Sequence, residues 1–464
     1  MQPQETVERF GYRQELRRGI GLADMVFYGL IFMVPIAPFA IFGEVYRVSK
    51  GMPALAYLIG MVALLFTAAS YAQMVRAFPL SGSVYSYAGR GIAPPVGFMT
   101  GWAILLDYIL APTLLYLMAS IAMNATVPAV PVWIWLIIFV IVNTVINLRG
   151  IRMTVSLTKM MIVVELVVLA LFIMVGLWAI TQGKGHGFSL DPLFNSDRFS
   201  MSLVFGAVSF AVLSFLGFDG ISMLAEESKG GSTQVAKAMR LALLLAGVLF
   251  ITQVWVAALL VPDPAALLSG EDNGTAFYDI AAIAGGDWLS NLTSVATAVS
   301  WGLANTLVAQ VGVSRLLYAM ARDRQLPAFL AKISVKHSVP ANATLFVAAL
   351  SVVLGVWMAN IEDGANLLVS LISMGALIAF IVLHVSVIVH YLVRQRSTDL
   401  WSHLVMPLIG MAILIYVVIN ASILAQWLGL IWLGIGALIL VILYAMGRRP
   451  NLSGFAQQGS TPTS

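Results

Sequence analysis

The chain reads as an all-α integral membrane protein of twelve spanning helices, and three observations carry that reading. Hydrophobic residues make up 60% of the 464 and charged residues 10%, with a mean hydropathy of +0.94; soluble domains hold roughly half and a quarter. Apolar runs of about 20 residues, the length that crosses a hydrocarbon core of about 30 Å, recur from Ile20 to Met446. Lys and Arg gather between alternate runs, as they do on the cytoplasmic side of a multi-pass protein.

The elements follow in chain order. Residues 1–19 are polar and basic, with Arg9, Arg13, Arg17 and Arg18. The apolar stretch behind them is too long for a signal peptide and lacks a small-residue cleavage site. Spans are expected at 22–46, 53–75, 95–123, 131–148, 155–180, 202–225, 238–261, 288–320, 341–359, 366–392, 403–424 and 427–446. With both termini in the cytoplasm, 21 of the 25 Lys and Arg lie inside, and only Arg47, Lys50, Lys184 and Arg198 lie outside. The net charge of +4 is therefore a matter of topology and not a nucleic-acid surface. The longest outer connections, 182–200 and 261–287, are too short for a soluble domain, and 450–464 reads as a disordered tail.

Two spans carry sequences that a straight helix would not choose. In the first, Met33-Val34-Pro35-Ile36-Ala37-Pro38 holds two prolines, each without an amide donor and each pushing the residue before it out of the helical region. In the sixth, Ser214-Phe215-Leu216-Gly217-Phe218-Asp219-Gly220 sets two glycines in mid-span, where each costs about 1 kcal/mol against alanine. Interrupted spans at corresponding places in two halves of a transporter point to a midplane site. Spans one and six are five apart, as two five-helix repeats require.

Three acids, Asp107, Glu165 and Asp219, stand inside apolar spans. A carboxylate at the bilayer centre costs roughly 2.5–3.5 kcal/mol on insertion scales, so each needs a partner, a proton or a wet cavity. They are the candidates for proton coupling. Asp219, beside the break, could trade a proton for a substrate amine, or simply cap the broken half-helix. Glu165 has no basic residue within two turns, so its partner comes from another span, and it could carry a proton or share a cation site with Asp107. On span eight, Trp301 and Asn305 are four apart and share a helix face, lining the pocket or, for the tryptophan, facing lipid. His384 and His390 are six apart and make no ligand pair, and there are no cysteines, so no metal or cofactor site is expected. Glu226, Glu227 and Lys229 end span six at the cytoplasmic side, as a gate pairing with inner-loop arginines or as a solvated helix end.

These pieces resemble a family. Tyr28-Gly29-Leu30 through Phe42-Gly43, the inner-loop run from Phe78 to Tyr87, Gly97-Phe98 with Gly101-Trp102 and Asp107-Tyr108, Ser214 to Asp219 with Glu226-Glu227, and Ser314 to Asp323 together resemble the amino acid, polyamine and organocation (APC) superfamily of secondary transporters. The likeness is greatest to its bacterial putrescine-importer branch and covers nearly the whole chain. It implies a leucine-transporter-type fold of two inverted repeats, 20–180 and 200–393, with two further helices over 402–447. It also implies a substrate held by Met33, Val34, Ile36 and Ala37 at the first break and by Ser214, Phe215, Gly217, Phe218 and Asp219 at the second. In relatives the first break offers free amides to a carboxylate and the second offers carbonyls to an ammonium. Ala40 replaces an acid of the putrescine importers, Leu213 a gating tryptophan of the arginine exchangers, and Glu165 a lysine of some proton-coupled relatives. With Leu213 in that place, Phe215 or Phe218 would cover the substrate.

The expectation is a bacterial inner-membrane importer of a small amine or amino acid, coupled to protons, with membrane lipids as its surroundings. An exchanger of the same fold and a transport-dead nutrient sensor are the alternatives. The signature G-x-x-x-x-G-K-[ST] is absent, which speaks against ATP-driven pumping. No nucleophile with a base stands out, which speaks against an enzyme. Ala40 pulls toward a monoamine or zwitterion, and the general resemblance pulls toward putrescine.

Overall fold

The computed structural model describes residues 19–79, 83–149, 152–269, 274–322, 327–334 and 339–446. The basic N-terminal residues 1–18, Leu80 to Gly82, Asp323 and the tail after Met446 lie outside the described residues, as do the side chains of Lys159 and Glu226. Ten described helices are long and apolar enough to cross a membrane, or up to twelve when each of two bent pairs counts as one span.

The first bent pair is α1 (Leu22–Met33) and α2 (Pro38–Val48), which meet at 62°. Val34 breaks the helix at φ +52°, ahead of Pro35, and Pro38 opens α2 at a position where its missing N–H leaves nothing unpaired. Next come α3 (Pro53–Ala77), α4 (Ser83–Gly91), α5 (Pro94–Thr126), α6 (Val132–Arg149) and α7 (Arg152–Thr181). The second bent pair is α8 (Met201–Phe215) followed, at 44°, by a tighter 3-10 segment, Phe218–Glu227. Then follow α9 (Gly231–Leu259), α10 (Pro264–Ser269), α11 (Ala276–Gly285) and α12 (Asp287–Val299), which runs through a π turn (Ser300–Asn305) into α13 (Thr306–Arg322). The chain ends with α14 (Ala341–Ala359), α15 (Gly364–Ile388), α16 (Met406–Asn420) and α17 (Ile423–Ala445).

Four expectations change. The run from Phe78 to Tyr87 is not all loop, since α4 starts at Ser83. The connection 261–287 carries two helices, and α11 folds inward: the Phe277 ring stacks on Phe39 at 3.9 Å and packs against Phe172 and Phe42. The second part of span six is a 3-10 helix. The last two spans meet at 421–422 and not at 425–426, because the Ser422 hydroxyl caps α17 by accepting from the Ala425 amide.

Between helices in lipid, association rests on close packing and on hydrogen bonds. His384 on α15 supplies such bonds: its ring reaches Ser70 Oγ at 2.8 Å and Thr67 Oγ1 at 3.3 Å, both on α3. It is a packed polar residue, as its isolation in the sequence suggests. The exposed α17 is held to α5 by a reciprocal clasp in which Trp102 and Trp432 stack at 4.5 Å and each indole donates to the other's backbone carbonyl at 2.7 Å.

Candidate functional site

The two breaks touch. A Cβ added at Gly217 would lie 2.6 Å from Phe32 Cβ on the last turn of α1, and Gly217 takes φ +105°, a region open to glycine. Gly29 lies against Ile221 in the same way. The first break is further tied to α9 by Gln253, whose amide donates to the Pro35 carbonyl at 3.0 Å. Residues 33–42 are all buried. Within the first break the Val34 amide bonds Leu30 O and the Ala37 amide bonds Val34 O, and Pro35 has no amide. The Ile36 amide alone is left without a backbone acceptor, where the resemblance suggests several free amides.

At the second break the Asp219 carboxyl lies among the backbone amides of Gly217, Asp219 and Gly220 without closing a side-chain cap on the segment. It also faces inward. The Tyr71 hydroxyl on α3 points at it without closing a hydrogen bond of ordinary length. Asp107 on α5 lies near enough for the two carboxyl charges to repel. Asp107, Asp219, Tyr87 and Tyr108 all bear electrostatically on Tyr71, so the fold gathers two acids and three phenols from α3, α4, α5 and the 3-10 segment. Asp107 keeps some accessible surface although it lies deep in the bundle.

The remaining residues separate. Phe218 packs between Tyr71 and Phe380, beside Asp219. Phe215 is locked between Tyr57 and Phe250, and Ser214 bonds the Tyr57 hydroxyl at 3.0 Å, so of the two rings Phe218 is the one that stands beside Asp219. Glu165 does not join Asp107. It shares with Ser300 a cavity lined also by Ile31, Val34, Ile162, Ala304 and Asn305, with room for about one water. Asn305 lines this cavity. Trp301 does not line it: it is buried, facing neither lipid nor the cavity. Among the described residues no group of three or more His, Asp or Glu could hold a metal ion.

At the end of span six, Glu227 and Lys229 are held through their backbone groups. The amides of Gly19 and Ile20 donate to Glu227 O at 3.0 Å, and the Lys229 amide donates to Ile20 O at 3.1 Å. The ion pair recorded among the described residues is Arg47 with Glu44, on α2.

Known proteins resemble this chain along nearly all of its length. A family model described as amino acid permease matches residues 23–447. The low-affinity putrescine importer PlaP of Escherichia coli (strain K12) is 31% identical over 94% of this chain and 96% of that protein. The branched-chain amino acid permease BcaP of Bacillus subtilis (strain 168) is 26% identical over 95% and 96%. The methylthioribose transporter of the same organism is 25% identical over 94% and 95%.

Proposed function

Because the chain belongs to the amino acid permease family, we propose that it is a proton-coupled importer of a small amine, working by alternating access in the bacterial inner membrane. It is a multi-pass membrane protein of a transporter family and not an enzyme. The observation that carries the substrate reading is the meeting of two helix breaks at Asp219, with Asp107 opposite and an unpaired phenol between. Two carboxyls in a low-dielectric bundle favour an ammonium as their common counter-charge. In a diamine the second ammonium would be met by Asp107, in place of the acid missing at Ala40. The single free amide at Ile36 favours an amine over an α-amino acid, whose carboxylate would need several donors.

Glu165 is the coupling residue in this reading. Its cavity admits a water or a proton but no organic ligand, and it adjoins Val34 at the first break, so protonation there acts on the hinge. The architecture is read as two inverted repeats, 20–180 and 200–393, followed by 402–447. Breaks in spans one and six face each other across the pseudo-symmetry axis, and both termini lie in the cytoplasm on the positive-inside rule.

Uptake of labelled putrescine and of a branched-chain amino acid into proteoliposomes, with and without an inside-alkaline pH gradient, tests this. The diamine should accumulate with the gradient, Asp219→Asn should abolish uptake, and Glu165→Gln should leave counterflow but remove the gradient's effect. Normal uptake with unchanged pH dependence in Asp219→Asn refutes the reading.

A further inference from the structure

Ser300 and Asn305 both line the Glu165 cavity although they are five residues apart. In an α-helix of 3.6 residues per turn, such residues point about 140° away from each other. They share a cavity because the helix widens into a π turn over Ser300–Asn305, in which the Thr306 amide reaches back five residues to Trp301 O. A widened turn takes carbonyls off the amides four residues on, and it persists where neighbouring groups satisfy or pack against it.

Asn143, fully buried in the middle of α6, is that neighbour. Its Nδ2 donates to Gly302 O at 2.6 Å and to Thr306 Oγ1 at 2.7 Å, and Thr306 Oγ1 donates to Trp301 O at 3.0 Å. The Gly302 carbonyl can only accept, which fixes the way round of the amide. The turn also packs tightly: a Cβ on Gly302 would lie 2.7 Å from Ala119 Cβ on α5 and 2.9 Å from the Phe139 ring on α6. Asn143 Oδ1 has no donor, and the nearby Tyr116 hydroxyl closes no bond of ordinary length. The hydrogen bonds that this side chain closes go to Gly302 in the π turn and to Thr306 at its end. Asn143 itself does not line the cavity.

We propose that Asn143 is a positioning residue of the transport site: it holds the π turn and so keeps Ser300 and Asn305 together on the Glu165 side of the bundle. This rests on Glu165 being the coupling site. A control lies one turn away on the same helix. Asn147 Nδ2 donates to Gln310 Oε1 at 2.7 Å and to Leu307 O at 3.3 Å, with the same chemistry between the same helices but beyond the π turn.

The test uses the full chain in proteoliposomes as Asn143→Ala, Asn147→Ala, Ser300→Ala, Asn305→Ala, Glu165→Gln and the Asn143→Ala/Asn305→Ala pair. Amide hydrogen exchange over 300–306 and gradient-driven uptake of putrescine are measured for each. Asn143→Ala should speed exchange there at least tenfold while Asn147→Ala does not, and it should slow driven uptake about as much as Asn305→Ala, with the double variant no worse than the worse single. Thr306→Val, which removes one of the two acceptors, should act in the same direction and replaces Asn143→Ala if that variant does not fold. Unchanged exchange over 300–306, equal acceleration in Asn147→Ala, or additive losses in the double variant overturn the proposal. If Ser300→Ala, Asn305→Ala and Glu165→Gln all transport like the parent, the site reading itself is refuted and the transport role of Asn143 falls with it. That outcome is recognised by exchange that Asn143→Ala still accelerates.

Discussion

Replacing Gly217 by alanine probes the contact between the two breaks, and Gly183 supplies its reference. Both glycines have positive φ, +105° and +82°, but a Cβ at Gly183 meets nothing within 4 Å while one at Gly217 meets Phe32 Cβ at 2.6 Å and Phe32 C at 3.2 Å. The dihedral term alone is about 1–2 kcal/mol for an L-residue in the left-handed region. Overpacking adds about 1–3 kcal/mol. A Cβ cannot swing aside by changing rotamer, so α1 must retreat by about 1 Å to restore a carbon contact of about 3.5–4.0 Å. Gly217→Ala should therefore destabilise by about 2–5 kcal/mol in total, and Gly183→Ala by about 1–2 kcal/mol. Thermal unfolding in detergent should show a melting-temperature drop two to three times larger for Gly217→Ala, and uptake should fall in that variant alone. Equal drops with normal uptake in both would mean that the breaks do not bear on each other.

Two further substitutions separate scaffold from site. Trp432→Phe keeps the ring stack on Trp102 but removes one indole hydrogen bond, so stability should drop by about 0.5–1.5 kcal/mol in thermal unfolding, with uptake unchanged because α17 lies away from both breaks. His384→Leu leaves the Ser70 and Thr67 hydroxyls without their cross-helix partner and should cost about 1–3 kcal/mol. The pH profile of uptake should stay as it was, and a shifted profile would show that His384 is more than a packing residue.

How much could be read in advance depended on where the cause lay. The breaks at Val34 and Gly217 were legible because proline and glycine act on their own backbone, whatever surrounds them. The π turn was not: Ser300 to Asn305 holds no proline, and the turn is held by Asn143 and by the fit of Gly302 against Ala119 and Phe139, which are far away in sequence. A signal did exist. Asn143, Thr144 and Asn147 on one apolar span, and Thr306 and Gln310 on another, form polar stripes at helical spacing, and polar side chains inside a membrane face the bundle. Pairing the acids needed the third dimension: from sequence Asp107 could join Glu165, but the packing sets it against Asp219 and gives Glu165 to Ser300. Helix ends were clearest where a side chain fixes them, as at Pro53 and Pro94, and least clear at Ser422, whose capping role is visible only from the amide it accepts.

The rings under α11 bear on how warmth governs the cycle. Phe277, Phe39, Phe172 and Phe42 form one sealed aromatic plug between α11, α2 and α7, all four almost wholly withdrawn from solvent. If access on that face requires α11 to lift, the rings become wet on the way, and wetting apolar surface raises heat capacity. The rate of that half-cycle would then curve on an Arrhenius plot, whereas a hinge exposing polar surface alone would curve it in the opposite sense. The temperature response of uptake thus carries a record of which face the plug seals.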